Sequence, residues 1–207
     1  MINKDSVVLF QGDSITDCGR NYEDINNLGF GYAMMSAALF NARYPELNVK
    51  FINKGISGNR AIDLKERWKK DCLDIKPDVV SILIGINDCW RKFDSNDETT
   101  AEEYKNNFRD VLTQVKENLE ADIIIIEPFL LPVTYEQKTI WRADLDPKIQ
   151  VARELAREFN ATYVPMDGVF ASMCMKQIPE FWAADGVHPS EAGHALIAEA
   201  WLNSVMK

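Results

Sequence analysis

Several things the sequence has little of narrow its function before any motif is read. Basic residues are outnumbered: 23 Lys and Arg stand against 32 Asp and Glu, a formal charge of −9. That balance disfavours attachment to phosphate backbones or anionic lipid surfaces, so neither a nucleic-acid nor a membrane partner is expected. Long apolar runs are missing. The strongest stretches, Val79–Ile86 and Ile123–Ile126, fall far short of the ~20 residues that cross a bilayer. The apolar run Val7–Phe10 is also too short for the core of an export signal, and the expected location is the cytoplasm. The four cysteines (Cys18, Cys72, Cys89 and Cys174) include no CxxC pair, which predicts reduced thiols and neither a disulfide nor a zinc site. No repeat, low-complexity tract or Pro/Gly-rich linker divides the chain, so residues 1–207 are read as a single domain. Histidine is scarcest, with only His188 and His194, which leaves two candidates for a side chain that titrates near neutral pH.

What is present is an ordinary globular composition, 46% hydrophobic and 27% charged over 207 residues. A chain of this length buries roughly 70% of its extended surface and needs no metal or disulfide to hold a core. Short runs rich in Val, Ile and Phe recur at Ser6–Gln11, Val49–Asn53, Val79–Gly85, Asp122–Glu127 and Thr162–Pro165. Their hydrophobicity is continuous, as in strands buried on both faces, and a helix-period segment follows each, which predicts a parallel sheet with helical crossovers. The helical stripes are Tyr32/Met35/Leu39/Ala42, Leu64/Trp68/Cys72/Ile75, Tyr104/Phe108/Val111/Leu112/Val115/Leu119, Ile149/Ala152/Leu155/Ala156/Phe159 and Ile197/Trp201/Val205. The charge runs Lys65–Lys70 and Asp94–Glu98 read as a solvated helix face and a loop. Five strands alternating with helices imply an open doubly wound α/β layer, in which ligands bind beyond the carboxyl ends of the strands.

Those ends carry the polar residues of interest. Ser14 follows the first strand through Gly12 and Asp13, at a turn into a helix; it is either an exposed nucleophile or a helix N-cap. His188 lies in a loop before a helix opening near Ser190, and Asp185, three residues upstream, is near enough to bind the other ring nitrogen. The pair suits a general base, or a hydrogen bond that merely stabilises the loop. His194 falls inside the last helix on the side of Ile197 and Trp201, where a packed helical histidine is expected. Gly58 can present a bare N–H, and Asn87 an amide that adds no charge, both suited to a developing oxyanion; each residue type also forms turns.

Taken together, Gly12-Asp13-Ser14, Gly55-Ile56-Ser57-Gly58-Asn59, Gly85-Ile86-Asn87-Asp88 and Asp185-Gly186-Val187-His188 occur in order at four of the expected strand ends. This set resembles the SGNH hydrolases, or GDSL esterases, from about Ser6 onward. The resemblance implies a three-layer α/β/α sandwich with a five-stranded, flavodoxin-like sheet. It also implies Ser14, Asp185 and His188 as a catalytic triad, an oxyanion hole of Ser14, Gly58 and Asn87, and no cofactor or metal. The flanks, Gly12–Arg20, Asn53–Asn59, Ile84–Arg91 and Val187–Ser190, are most similar to bacterial intracellular acetylxylan or xylo-oligosaccharide acetylesterases.

The alcohol half of the substrate is less legible. Trp90, Trp141 and Trp182 fall near the expected loops, where they could stack on sugar rings or simply pack; Asp13, Trp90, Arg91 and Trp182 are the candidate substrate contacts. Phe93–Thr100 and Pro132–Pro147 match nothing familiar and are expected to border the substrate. No apolar loop suggests a fatty-acyl tunnel, which favours acetyl esters of oligosaccharides over lipid or thioester substrates. A binding protein that kept the scaffold without turnover would be marked by a broken Ser/Asp/His set, and here the set is complete. Aromatic residues in the loops are compatible with a homo-oligomer.

Overall fold

Each strand is short and apolar because helices cover both of its faces. In the computed structural model, which describes residues 2–206, the strands are β1 (Val7–Gly12), β2 (Lys50–Asn53), β3 (Val79–Leu83), β4 (Asp122–Ile126) and β5 (Thr162–Val164). They form one parallel sheet in the order β2-β1-β3-β4-β5, with Val8 opposite Val79 and Leu83 opposite Ile126. Successive side chains point to opposite faces. Val8, Phe10, Ile124 and Ile126 join one core, and Leu9, Ile82, Ile123 and Ile125 join the other.

The first core is closed by α2 (Tyr32–Arg43), α7 (Met166–Met173) and α9 (Glu191–Val205), through Tyr32, Phe40, Phe170 and Trp201. The second is closed by α3 (Ala61–Asp71), α5 (Ala101–Asn118) and α6 (Arg142–Glu158), through Leu64, Trp68, Phe108 and Leu155. Shorter helices α1 (Ser14–Asp17), α4 (Ile86–Asp94) and α8 (Pro179–Trp182) lie at the carboxyl edge or in the closing loops. The architecture is therefore the expected three-layer α/β/α sandwich on a five-stranded doubly wound sheet. Trp201 donates its indole N–H to Ser81 Oγ at 3.0 Å, which satisfies both polar groups inside the first core.

Two helix faces differ from the sequence reading. The buried side of α2 is Tyr32, Ala33, Ser36, Ala37 and Phe40, whereas Leu39 and Ala42 are exposed. The run YAMMSAALF is apolar or small almost all round, so periodicity alone does not select a face. The charged face of α3 is solvated except at Arg67. Its guanidinium turns inward to donate to Gln11 Oε1 at 2.9 Å, Asn59 Oδ1 at 2.7 Å and Gly12 O at 3.3 Å. Among the described residues, no helix is long and apolar enough to cross a membrane. All four cysteines are free thiols.

Candidate active site

At the end of β1, a Cβ on Gly12 would lie 2.3 Å from both Leu83 O and Thr16 Oγ1, so only glycine lets the chain turn this close to β3. Asp13 then caps α1, its Oδ1 accepting the Ile15 N–H at 2.9 Å. Ser14 is thus the first residue of α1 and not its cap, and its own N–H has no intrahelical acceptor.

The Ser14 hydroxyl oxygen is 3.0 Å from Nε2 of His188, which lies in the loop between α8 and α9. The other ring nitrogen, Nδ1, is 2.6 Å from Asp185 Oδ2. Asp185 Oδ1 accepts the N–H groups of Val187 at 2.9 Å and His188 at 2.8 Å, so a single carboxylate fixes both the loop and the ring. Between them Gly186 has φ 84°, and a Cβ there would strike Leu131 O at 2.5 Å. The hydrogen bond to Asp185 raises the His188 pKa above its ordinary value, with partial burial opposing it. For Asp185, burial acts to raise the pKa, but the hydrogen bonds from the His188 ring and from the two N–H groups prevail and bring it down to about 2.

Two further strand ends face this pair. Gly58, in the turn after β2, has φ 83°, and its N–H finds no acceptor among the described residues. Asn87, in the first turn of α4, donates one amide hydrogen to Asn59 O at 3.1 Å and keeps the second. Ser14, Gly58, Asn87 and His188 open on one cavity of about 250 Å³, completed by Ser57, Trp90, Arg91 and Asp94. The Trp90 ring lies 5.7 Å from the His188 ring, and Arg91 pairs with Asp94.

Other expected residues lie elsewhere. Asp13 has no exposed surface and cannot touch a substrate; burial raises its pKa to about 7, against the Ile15 hydrogen bond, and its Oδ2 has no partner. Trp182 belongs to the first core, packed edge-on against Phe181 at 4.9 Å. Trp141 is buried behind Trp90, its ring 5.4 Å away, and stacks on Phe93 at 5.2 Å. None of residues 132–147 lines the cavity. Gln137 from that stretch instead donates to Asp185 O at 2.7 Å and accepts the N–H of Val133, supporting the histidine loop from behind. His194 is buried, its Nδ1 accepting the Tyr32 N–H at 3.1 Å and its Nε2 3.4 Å from Cys18 Sγ; burial pushes its pKa down to about 4.

The sequence reading missed Asp17. Its Oδ2 accepts the N–H of Ser57 at 3.1 Å, the Ser57 hydroxyl at 2.9 Å and the Tyr22 hydroxyl, tying the turn that bears Gly58 to the turn that bears Ser14. Its sequence signal is weak, a carboxylate three residues after Ser14.

A profile of the GDSL-like lipase/acylhydrolase family matches residues 10–196. The chain belongs to that family. An acetylxylan esterase of Geobacillus stearothermophilus is 38% identical over 206 residues, which cover 96% of this chain and 93% of that one. The crystal structure of an acetylxylan esterase from the same organism superposes with a TM-score of 0.91 at 37% identity, covering 98% of this chain and 95% of that one. A GDSL-like lipase from Parabacteroides merdae superposes with a TM-score of 0.95 at 38% identity, covering 100% and 98%. By its family and these relatives, this GDSL-family chain is a carboxylic ester hydrolase.

Proposed function

We propose that this esterase removes acetyl groups from xylo-oligosaccharides or related carbohydrates by a two-step acyl transfer through Ser14. The observation that carries the reading is the hydrogen-bonded series Ser14, His188, Asp185, set beside N–H donors that nothing in the fold uses. In the first step His188 Nε2 takes the Ser14 proton as Oγ forms a bond to the ester carbonyl carbon. The oxyanion is met by the N–H groups of Ser14 and Gly58 and the second amide hydrogen of Asn87, and Asp185 stabilises the imidazolium. His188 then protonates the departing alcohol. In the second step it activates water, which releases acetate and restores Ser14.

Two observations support a short acyl group on a carbohydrate. The cavity, at about 250 Å³, is smaller than the ~300–1,000 Å³ typical of sites that enclose drug-sized ligands. Relatives at 37–38% identity include an acetylxylan esterase. We place the enzyme in the cytoplasm, in keeping with its free thiols, as one domain with no nucleic-acid or membrane partner. The exposed Phe30, Met175, Ile178 and Phe181 favour self-association, which light scattering would read.

The deciding experiment is a series of acyl esters from acetate to octanoate alongside acetylated xylo-oligosaccharides, with released acid measured by mass. kcat/KM should be highest for acetate and fall sharply by butyrate, because a cavity of about 250 Å³ leaves little room for a longer acyl chain, whereas an extended apolar groove would gain ~0.8 kcal/mol per methylene. Ser14→Ala should lower kcat by about 10⁶, and a serine-directed phosphonate should add once, at Ser14. Activity that rose through octanoate, with acetylated sugars untouched, would replace this reading with a lipid or thioester substrate.

A further inference from the structure

Tyr22 differs from an ordinary exposed aromatic residue because both its ring and its hydroxyl have partners in the fold. The residue is 57% exposed. Yet the guanidinium of Arg20 packs on one face of the ring, 4.1 Å from its centroid, and Arg20 is itself buried, with Nε donating to Gly55 O at 2.7 Å. At the other end the hydroxyl donates to Asp17 Oδ2. That same oxygen accepts both the N–H and the hydroxyl of Ser57, a wall residue of the catalytic cavity. Two donors converging on one oxygen put the Tyr22 hydroxyl beside Ser57, so the residue neighbours the cavity wall through Asp17 without itself lining the cavity. Arg20 covers one face of the ring, and more than half of the residue is still exposed.

We propose that Tyr22 is a sugar-stacking platform beside the cavity, taking the C–H face of a pyranose ring in the alcohol half of the substrate. The proposal rests on the carbohydrate reading above and adds the subsite that reading lacks. A pyranose ring turns its equatorial hydroxyls outward and presents apolar C–H groups on its faces, which is the surface an aromatic ring covers well. A ring already partnered in the free protein loses less entropy on binding. Because Asp17 also holds Ser57, a sugar seated on Tyr22 is registered against the turn that carries Gly58.

The test compares Tyr22→Ala and Tyr22→Phe with wild type on two substrates, acetylated xylotriose and ethyl acetate, the second having no ring to stack. Tyr22→Ala should lower kcat/KM for the sugar about tenfold more than for ethyl acetate, the size of effect expected from losing a few tens of Å² of apolar contact. Tyr22→Phe keeps the ring and loses the hydroxyl; it should preserve the ratio between the two substrates while slowing both. Xylotriose without acetyl groups, titrated into Ser14→Ala and into Ser14→Ala/Tyr22→Ala, should bind the double variant about tenfold more weakly. Equal losses on both substrates, or unchanged xylotriose affinity, would overturn the stacking role. Should wild type leave acetylated xylotriose untouched yet show the same Tyr22-dependent ratio on an acetylated glucoside, the xylan assignment would fall and the platform would stand.

Discussion

Asn87 has two amide hydrogens, and the fold uses one of them, toward Asn59 O at 3.1 Å. That bond orients the group without exhausting it, so the side chain has the form of a preset donor. Asn87→Ala is expected to lower kcat by about 10²–10³ with little change in KM, because the lost contact strengthens only as the oxyanion forms. Steady-state kinetics on an acetate ester would show it, and a change confined to KM would move Asn87 to substrate positioning. His188 makes a second prediction. A carboxylate on Nδ1 favours the protonated ring, so the acid limb of kcat/KM should have its midpoint above the ordinary histidine value of ~6.5. Asp185→Asn exchanges that carboxylate for a neutral amide; the limb should move to lower pH while the rate falls by about 10⁴. A limb that stayed in place would separate the pH dependence from His188. The type of each of these residues was legible in the sequence, since Ser, Gly, Asn, Asp and His each occur at an expected strand end. Asp13 and Trp182 were misplaced because an apolar environment leaves no mark on a residue's own identity.

At the level of elements, the turns after β1 and β2 behave as one piece. Asn53 donates to Thr16 O at 2.6 Å and to Leu28 O at 2.8 Å, and a Cβ on Gly55 would fall 2.3 Å from Asp17 N. Asp17 completes the join through Ser57. Asp17→Asn keeps the shape but has fewer lone pairs to offer, so the Ser57–Gly58 turn should shift. A displacement of about 1 Å costs on the order of 10² in rate, so kcat should fall by about that much with KM nearly constant. Combined with Ser57→Ala the loss should be smaller than the product of the single losses, since both act through one contact. A role in stability alone would lower the melting temperature and leave kcat per folded molecule intact. This join was hidden in the sequence because its partners are 40 residues apart and neither is unusual in type. The strands, by contrast, could be read within one or two residues, since Ile123–Ile126 and Val79–Leu83 are too apolar for anything but a doubly covered sheet. The face of α2 could not, because its small and apolar residues run nearly all round.

Across the whole molecule, acid should silence the enzyme before it unfolds it. His194 is packed against Tyr32 with its pKa lowered to about 4, whereas the same ring in the unfolded chain titrates near 6.5. Between those values the unfolded chain binds the extra proton. The stability His194 contributes is therefore complete above pH ~6.5 and is lost as pH falls toward 4, by about 3 kcal/mol in all. His194→Gln, which can still accept the Tyr32 N–H, should be less stable at pH 7.5 but lose less on going to pH 4.5, as urea denaturation at the two values would measure. Catalysis should already have faded at higher pH, where His188 takes up its proton. The separation of Ser14 from His188, 174 positions along the chain, has a different consequence, one in time. A ribosome adding about 5–20 residues per second makes the serine roughly 10–35 s before its histidine. Throughout that interval the nascent chain carries a serine that no base can activate, so newly made enzyme cannot attack esters until the loop before α9 has emerged and docked. Ester hydrolysis in a synchronised translation reaction would accordingly begin with a lag, and its onset would time the completion of folding without any added probe.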